Sequence, residues 1–582
     1  MRFQVILAAT LVAWSVVVVA PAQAGGIEYQ GAGAQALGRA GAVVAKSDDP
    51  MVLANNPAGL AELRGNQLMF DLNYAFMNAC VDPIGYYGWG VYNGGSPIRL
   101  PDPSGGEPVM LNLGTVTPET SAYYGGQYDT VCMKQNILPV PQVGFTSRLT
   151  ERLGVGFGLM FPAATPQGTW GEENGVIRGA AGLRPAATRY MLMSSGTLGV
   201  FPTAGLGFRV TDWLRIGASF EWGIVNVDNL SMAAITAGTA PSGDILAHVK
   251  ATDWFIPAFN ASVHLVPFDA LDVVAMFRYQ DDLVAPGHID LTTGVFDPRG
   301  RPRTKRNVVE AVRQKFPMKF IAAIRYADRL APRPSGTGQE ETKDSNRSEI
   351  RDPFLNERWD LELDLEYLKA SRHKDLIIDY VEEQAIEFER DNGAISMARF
   401  PDALRGGAST DTVIGKHWKD QIAIKLGGSY NILPGVFGVS LGGHYETRGV
   451  DPSYMQVDYW PVQRVGLHAG VKVRISGRFD VVASYAHIFQ ESIVTGAPNH
   501  ELGTTSYMRY SETGVVDTID KRAGRGADAP VLEEPKGEPV DGQARLVQNV
   551  TKAVAGQTPW IINAGRYRSG LDVVSIGVNA HF

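Results

Sequence analysis

Side chains that could perform catalysis are present in this chain, but their spacing does not assemble a catalytic or metal site. Serines, acidic residues and 10 histidines are spread along the sequence, and no G-x-S-x-G motif marks a nucleophile on a sharp turn. No Cys/His cluster has the spacing that holds zinc. The sequence therefore predicts no catalytic residue, metal or cofactor. A hydrolase with a Ser/His/Asp-type site stays an alternative that an assay must decide.

The chain has two cysteines, Cys80 and Cys132, which flank one long loop-like stretch. In an exported protein, such a pair is more often a disulfide than two free thiols. We therefore predict a disulfide between them.

The stretch 47–63 reads SDDPMVLANNPAGLAEL and holds the most distinctive short motif. Asn55 and Asn56 precede Pro57, Ala58 and Gly59. Asn-Pro starts turns, and proline is tolerated in the first turn of a helix. Taken alone, the motif indicates only a helix start in a small domain, so the surrounding elements must decide whether it has a further role.

The first 24 residues have the pattern of a cleaved signal peptide. Arg2 supplies the positive end, Val5–Ala20 is almost continuously apolar, and Ala22-Gln23-Ala24 is a small-residue cleavage site. An uncleaved anchor is the alternative. After Gly25, no window approaches the 18 apolar residues of a membrane helix. The mature chain is therefore either a soluble exported protein or a β-barrel.

Length and charge narrow the class further. A chain of 582 residues is long enough for several soluble domains or one large barrel. Its net charge of -8 argues against a nucleic-acid binder.

From Gln67 onward, apolar residues alternate with polar residues or glycine, as in 214–222, 359–367, 465–474 and 574–582. Soluble sandwiches alternate too. Tryptophans at strand ends, such as Trp213, Trp222, Trp254 and Trp359, instead favour the interfacial belts of a membrane barrel. We expect fourteen strands, at 67–79, 137–149, 152–165, 187–210, 212–228, 247–266, 270–289, 308–328, 357–380, 418–432, 435–449, 462–475, 478–494 and 563–582.

The connections between these strands alternate in length. Outer-membrane barrels have short periplasmic turns, long extracellular loops and an even strand number. The tight connections after strands two, four, six, ten and twelve place both termini in the periplasm. The predicted extracellular loops are 80–136, 166–186, 229–246, 290–307, 381–417, 450–461 and 495–562. The connection after strand eight is long and polar, and we interpret 330–353 as a solvated periplasmic insertion rather than a miscounted strand.

Two loops carry candidate ligand contacts. Leu230, Met232 and Ile235 form an apolar run that either captures a ligand or packs on neighbouring loops. A basic group contacts either a ligand carboxylate or lipopolysaccharide phosphates, and its members are Arg299, Arg301 and Arg303.

An acidic face alternates with an apolar one along 359–367, and its residues are Asp360, Glu362, Asp364 and Glu366. We expect these carboxylates to face the lumen in an ion network with basic residues such as Arg215, Lys472 and Arg474.

The glycine-rich segment 29–63, the fourteen strands and the ending NAGRYRSGLDVVSIGVNAHF together resemble the FadL family of outer-membrane transporters for long-chain fatty acids and other hydrophobic compounds. Asn56-Pro57-Ala58-Gly59 falls on that family's NPA motif. The resemblance spans the mature chain. The insertion 330–353, the cysteine pair and the loop 495–562 depart from the family pattern.

The resemblance implies an all-β fold: a 14-stranded antiparallel transmembrane β-barrel (66–582) with an N-terminal, partly helical hatch (25–65) that plugs the lumen. Asn55–Gly59 would then be the gating motif of the hatch. A hydrophobic ligand, most directly a long-chain fatty acid and alternatively an aromatic or aliphatic hydrocarbon, would pass the hatch by diffusion and leave sideways into the bilayer. Pro162 and Pro166 lie in the third strand, where each removes a ladder donor and favours either a lateral gap or merely a strand end.

The same resemblance implies partners and an address. We expect an outer-membrane monomer that contacts lipid and lipopolysaccharide and binds no nucleic acid. The C-terminal Phe582 would be read by the barrel assembly machinery.

Overall fold

The computed structural model describes most of the chain after the predicted signal peptide. The described residues are 33–83, 98–100, 109–111, 128–135, 140–160, 168–171, 175–179, 182–234, 244–296, 302–331, 333, 352–381, 386–389, 395–398, 412–495, 506–511, 514–520, 563 and 565–582.

Fourteen antiparallel strands form one closed barrel, as the sequence predicts. Eight of them consist of two described segments. The strands are β1 (Asn66–Pro83), β2 (Val131–Gln135 and Val140–Arg148), β3 (Leu153–Met160 and Gly168–Trp170), β4 (Ser194–Ser195 and Leu198–Arg209), β5 (Leu214–Ala234), β6 (Asp244–Phe268), β7 (Leu271–Gln280 and Leu283–Thr293), β8 (Arg303–Gln314 and Met318–Arg329), β9 (Glu357–Lys369 and Asp375–Tyr380), β10 (Thr412–Gly415 and Gln421–Leu433), β11 (Phe437–Glu446), β12 (Arg464–Ile475), β13 (Phe479–Gln490 and Ile493–Thr495) and β14 (Gly565–His581).

The barrel closes between its first and last strands. β1 and β14 pair without a break from Gln67 opposite His581 to Pro83 opposite Gly565. Cys80 of β1 lies directly opposite Cys132 of β2, and the two are joined by a disulfide. The closed ladder leaves no sheet edge, which is the condition for a β-sheet in lipid.

The outer surface of the barrel carries an apolar band between two aromatic girdles. Trp213, at one end of β5, is 56% exposed, and Trp222, on the same strand, is 48% exposed. Nine residue steps of about 3.3 Å, tilted by about 40°, separate these rings by about 23 Å along the barrel axis. That height fits the hydrocarbon band of an outer-membrane barrel, about 25 Å. The predicted aromatic belts are therefore present.

Short turns and long connections lie at opposite ends of the barrel, here called the turn end and the loop end. Five turns of two to four residues join β2 to β3, β4 to β5, β6 to β7, β10 to β11 and β12 to β13. Both ends of the barrel sequence lie together at the turn end, where Phe582 N donates to Asn66 O at 2.9 Å. Four small hairpins also occur, Ile98–Leu100 with Val109–Leu111, Val176–Gly179 with Gly182–Pro185, Ile386–Glu389 with Ile395–Ala398, and Ser506–Ser511 with Gly514–Asp520.

Helices are short and few in the described part of the chain. They are α1 (Ala34–Leu37), α2 (Val52–Asn55), α3 (Pro353–Asn356) and the 3-10 helices Pro57–Ala61, Ala187–Tyr190, Ala370–Arg372 and Pro452–Tyr454. None of these helices has the length and apolar character needed to cross a membrane.

The connection between β8 and β9 is not a miscounted strand, because the count of fourteen is complete without it. Most of 330–353 lies outside the described residues, but its two ends pack into the turn end of the barrel. Arg333 pairs with the buried Asp272 at 2.5 Å. Asp352 pairs with Arg64 at 3.0 Å, and Phe354 is 3% exposed beneath the cations of Lys472 and Arg474. The ends of this connection are therefore tied to the barrel mouth rather than surrounded by solvent.

Candidate functional site

Residues 33–65 lie inside the lumen and contact the wall around its circumference, and we call them the hatch. Ala34 N donates to Asp71 of β1 at 2.8 Å, and Ala34 O accepts from Ser484 of β13 at 2.6 Å. On the opposite side, Ala58 N donates to Ser262 of β6 at 2.8 Å. Because the hatch is bonded to strands on both sides, it fills the turn-end half of the barrel.

The Asn-Pro-Ala-Gly motif packs directly against the wall. Pro57 opens the 3-10 helix, where its missing N–H costs nothing. Asn56 is fully buried, and its amide donates to Val44 O at 2.8 Å, which ties the motif to the other half of the hatch. A Cβ on Gly59 would collide with Ser47. Asn55 ends α2 and is half-buried. The contacts of Asn56 and Ala58 thus hold the motif between hatch and wall.

Glycines in adjacent strands let the hatch backbone approach the wall closely. A Cβ on Gly207 of β4 would lie 2.6 Å from Pro57 O and 2.8 Å from Ala61 N. Cβ atoms on Gly154 of β3 and Gly217 of β5 would overlap Leu60 O and Ala58 N even more. The sequence shows these glycines only as the polar face of alternating strands, because the hatch that needs them is more than 90 residues away.

Buried ion pairs fix the other half of the hatch. The Arg39 guanidinium lies 2.6 Å from Asp360 and 3.3 Å from Glu362 of β9, and Lys46 lies 3.0 Å from Asp360. Arg325 of β8 also pairs with Asp360, at 3.0 Å. The acidic face therefore points into the lumen as predicted, but its cations come from the hatch, from β8 and, at Lys425, from β10.

The basic residues expected opposite that face have other partners. Arg215 pairs with Glu62 of the hatch at 2.6 Å. Lys472 lies 3.5 Å from both Asp48 and Asp480. Arg474 pairs with Asp480 at 2.6 Å and also contacts Asp352. The expected pairing of these three residues with the acidic face was wrong. Pairing across a barrel depends on the order of the strands around it and on the hatch that lies between them.

The lumen changes character from the turn end to the loop end. Beyond Trp222, the inward side chains of β5 to β9 are mostly apolar, with Asp244, Thr293 and Gln314 as buried polar exceptions, whereas nearer the turns they are polar or charged. Together with Met51, Val52 and Leu53 of the hatch they form one buried cluster, called here the upper apolar cluster. Its wall members include Val225, Val227, Ile245, Val249, Leu283, Ile289, Leu291, Val309, Val312, Leu376 and Ile378. The inner face of the barrel is therefore mainly polar only in the turn-end half, where the hatch packs against it.

A second buried apolar cluster lies on the other side of the lumen, next to β1 and β14. It joins Leu37 of the hatch to Trp170, Trp460 and Tyr567. The rings of Trp170 and Trp460 stack with centroids 5.8 Å apart. Stacked indoles bury a large apolar area, so this side of the lumen also has a buried apolar cluster.

The predicted capture residues lie in a strand rather than a loop. Leu230 and Met232 belong to β5, which extends to Ala234 and pairs with β6 along its whole length. Met232 is buried at 3% exposure, whereas Leu230 is half-buried. Ile235 lies outside the described residues. The local pattern missed this extension because the outward residues Asn226 and Asp228 are polar, as on a strand that continues beyond a membrane.

The basic group is described only in part. Arg303 begins β8 and lies opposite Thr293 of β7. Arg306, three residues further, forms a two-pronged pair with Asp290 at 2.7 and 2.8 Å. Arg299 and Arg301 lie outside the described residues.

The third strand is described in two segments, and the proline pair falls between them. Pairing of β3 with β2 and β4 runs to Leu159 and Met160 and is found again at Gly168. Pro162 and Pro166 fall between these segments, outside the described residues. Met160 ends the first described segment of β3 and lies opposite Phe201 of β4. Both residues are buried members of the upper apolar cluster.

No protein-family model matches the sequence, and no curated protein matches it. Solved structures do match. A Pseudomonas aeruginosa FadL homologue aligns with a TM-score of 0.58 at 14% identity, over 96% of this chain and 100% of that chain. The toluene transporter TodX of Pseudomonas putida aligns at 0.53 and 10% identity, over 95% and 99%. The CymD monoaromatic hydrocarbon channel aligns at 0.50 and 12% identity, over 95% and 98%. This chain has the fold of these channels.

Proposed function

We propose that this chain is a FadL-type transporter of the bacterial outer membrane that takes up hydrophobic compounds, most directly long-chain fatty acids, by passive diffusion past the hatch. The upper apolar cluster is the observation that supports this most strongly. A hydrophobic chain gains about 0.8 kcal/mol for each CH₂ that leaves water. An apolar space above a plugged lumen favours such a ligand over ions and sugars.

We further propose lateral release through the third strand. A sealed turn-end half leaves the bilayer as the natural exit for a molecule that prefers lipid to water. Pro162 and Pro166, which fall between the described segments Leu153–Met160 and Gly168–Trp170, support an exit there, because proline removes ladder hydrogen bonds. Met160 and Phe201 would then guide the ligand from the upper apolar cluster to the wall.

Within this proposal the hatch motif Asn55–Gly59 is the gate, and it acts by holding the hatch to the wall. Leu230 and Met232 would belong to the entry path. Arg303, together with Arg299 and Arg301, would contact lipopolysaccharide phosphate or a ligand carboxylate.

Uptake of labelled oleate by a deletion strain complemented with this chain tests the function. We expect uptake to depend on the full chain and to persist without any energy-coupling partner at the hatch. A variant lacking 25–63 should leave a water-filled pore with steady conductance in planar bilayers. Absence of any conductance change on this deletion would contradict a hatch that closes the lumen.

Aromatic or aliphatic hydrocarbons are the second candidate cargo. TodX, a toluene transporter, and CymD, a monoaromatic hydrocarbon channel, share the fold of this chain and favour this cargo. Labelled toluene in the same strain separates the two: oleate uptake without toluene uptake supports the fatty-acid proposal, and the reverse supports the hydrocarbon one. The hydrolase alternative predicts ester hydrolysis by the purified protein in detergent, which the transport proposal does not.

A further inference from the structure

His373 lies beside the upper apolar cluster, at a break in β9. β9 is interrupted after Lys369 by the 3-10 helix Ala370–Arg372, and His373 follows. Its backbone is fixed on both sides, because His373 N donates to Ala370 O at 2.9 Å and His373 O accepts from Trp418 N at 3.2 Å. The interruption turns the imidazole inward, where it is fully buried.

Aromatic rings surround this imidazole. Trp418 meets it edge to face with centroids 4.4 Å apart, and Tyr459 lies 6.1 Å away in a similar orientation. Trp418 belongs to the upper apolar cluster, and Tyr459 packs against it. The Tyr459 hydroxyl is already engaged, since it donates to Gln314 at 3.1 Å. The rings therefore supply shape and apolar surface.

Neither ring nitrogen of His373 has a hydrogen-bond partner among the described residues. The same holds for both amide atoms of Gln421, which is fully buried and lies opposite Leu368 of β9. A buried polar atom without a partner costs about 1–3 kcal/mol. His373 and Gln421 thus place four such atoms on two neighbouring strands beside the upper apolar cluster. Phenylalanine and leucine at these two positions would avoid the cost.

The charges near the site restrict what can bind there. Burial disfavours a positive charge on the His373 ring, and repulsion from the Lys416 ammonium adds to this effect. That ammonium is itself engaged, since it donates to Gln456 at 2.6 Å and pairs with Asp458. A neutral imidazole offers one donor and one acceptor, as an amide does. A carboxylate only accepts hydrogen bonds, and its charge is expensive to bury without a free cation.

We propose that His373 and Gln421 bind the uncharged polar head of an otherwise apolar ligand, either a hydroxyl group or a protonated carboxyl group. Such a head both donates and accepts, so it satisfies one atom of each kind on the two side chains. The apolar remainder of the ligand lies in the upper apolar cluster. This inference rests on the proposed function and adds a rule of selection to it: alcohols and protonated acids bind better than alkanes or carboxylates of equal length.

Binding of labelled decanol, decane and decanoate to the full-length protein in detergent tests this rule, at about pH 8 where decanoate is ionised. Partition into detergent is the same for wild type and variants, so the ratio of affinities is informative. We expect wild type to prefer decanol over decane, and decanol over decanoate, each by about tenfold. His373→Phe should reduce the decanol/decane preference to about twofold or less without weakening decane binding, and Gln421→Leu should reduce it partly.

The matched control is His487→Phe, which replaces a half-exposed histidine that contacts Asp572 on the outer side of β13. It should keep the wild-type preference. Equal affinity of wild type for decanol and decane, or stronger binding of decanoate, would overturn the inference and leave the proposed function standing. Failure of wild type to bind any of the three would count against the proposed function itself. A His373→Phe protein that binds decane normally but keeps the decanol preference would also overturn the inference.

Discussion

Adding one methyl group to the wall at Gly207 should loosen the hatch. In Gly207→Ala, the new Cβ would lie 2.6 Å from Pro57 O, 2.8 Å from Ala61 N and 2.9 Å from the Cβ of Leu60. Ordinary contacts begin at 3.4 Å. Two of the three opposing atoms are backbone atoms, so a side-chain rotation cannot relieve the overlap. The 3-10 helix must move away from β4 by about 0.8 Å, the difference between the two distances for Pro57 O.

The cost of this movement has two parts. Overpacking a tightly filled site costs about 1–3 kcal/mol. A displacement of that size also weakens the 2.8 Å bond from Ala58 N to Ser262, which contributes about 1 kcal/mol. A total of about 2 kcal/mol shifts the docking equilibrium of the hatch about 30-fold toward the released state.

Single-channel recording and limited proteolysis both report on hatch release. Arg39 and Lys46 are buried in the docked hatch, so trypsin cleaves there only after release. We expect Gly207→Ala to raise both the frequency of open events and the cleavage rate, by roughly 30-fold. The control is Gly570→Ala, because a Cβ at Gly570 of β14 has nothing within 4 Å.

Wild-type conductance and wild-type resistance to trypsin in a folded Gly207→Ala barrel would contradict this prediction. It would also be refuted if Gly570→Ala had the same effect as Gly207→Ala. Either result would mean that close contact between wall and hatch does not control docking.

Three further predictions concern the charges of the hatch and the disulfide. Arg39→Met removes a fully buried cation from Asp360 and Glu362, and breaking a buried pair of this kind costs about 3–5 kcal/mol, so trypsin should cleave at Lys46 faster than in Gly207→Ala. Burial, helped by the charges of Asp48 and Asp71, raises the pKa of Asp49 in the hatch to about 7. Because the docked hatch then holds this proton more tightly than the released hatch, docking should weaken as pH rises from about 4 through about 7. Asp49→Asn should make the rate of trypsin cleavage in the hatch less dependent on pH in that range. Reduction of Cys80–Cys132, which are 52 residues apart, should lower the free energy of unfolding in urea by up to about 4 kcal/mol, and unchanged unfolding of the reduced protein would contradict a stabilising role.

The strand pattern was predictable because it is local. A residue's side in a strand follows from its neighbours two positions away, so the alternation of 214–222 indicates β5 without any knowledge of the barrel. Turn lengths are local too, and together they give the count of fourteen and the common end of both termini. Strand ends were less predictable: β5 runs to Ala234 because pairing with β6 continues where the apolar-out pattern has reversed.

The candidate site was predictable only as far as its motif. Asn56 and Pro57 stand out in the sequence, and the resemblance places them in a hatch. No signal in the sequence pairs Arg39 with Asp360, since more than 300 residues separate them. The burial of His373 could not be predicted from the sequence either, because a single histidine after an acidic strand has no distinguishing spacing. An interruption of β9 and the arrival of Trp418 from β10 were needed to bury it.

The sequence by itself therefore determined the barrel, its strand number and the disulfide partners, since each depends on short-range periodicity or on a pair of residues without rivals. The family resemblance of the N-terminal segment, and not a pattern within it, indicated which part of the chain enters the lumen. The tertiary structure alone decided how the lumen is divided. Closing fourteen strands into a ring brings distant residues to one level, where hatch cations meet β9 carboxylates and apolar residues of β5 to β9 meet one another. That division, with buried ion pairs in the turn-end half and an apolar cluster beyond them, is the reason for proposing a hydrophobic ligand.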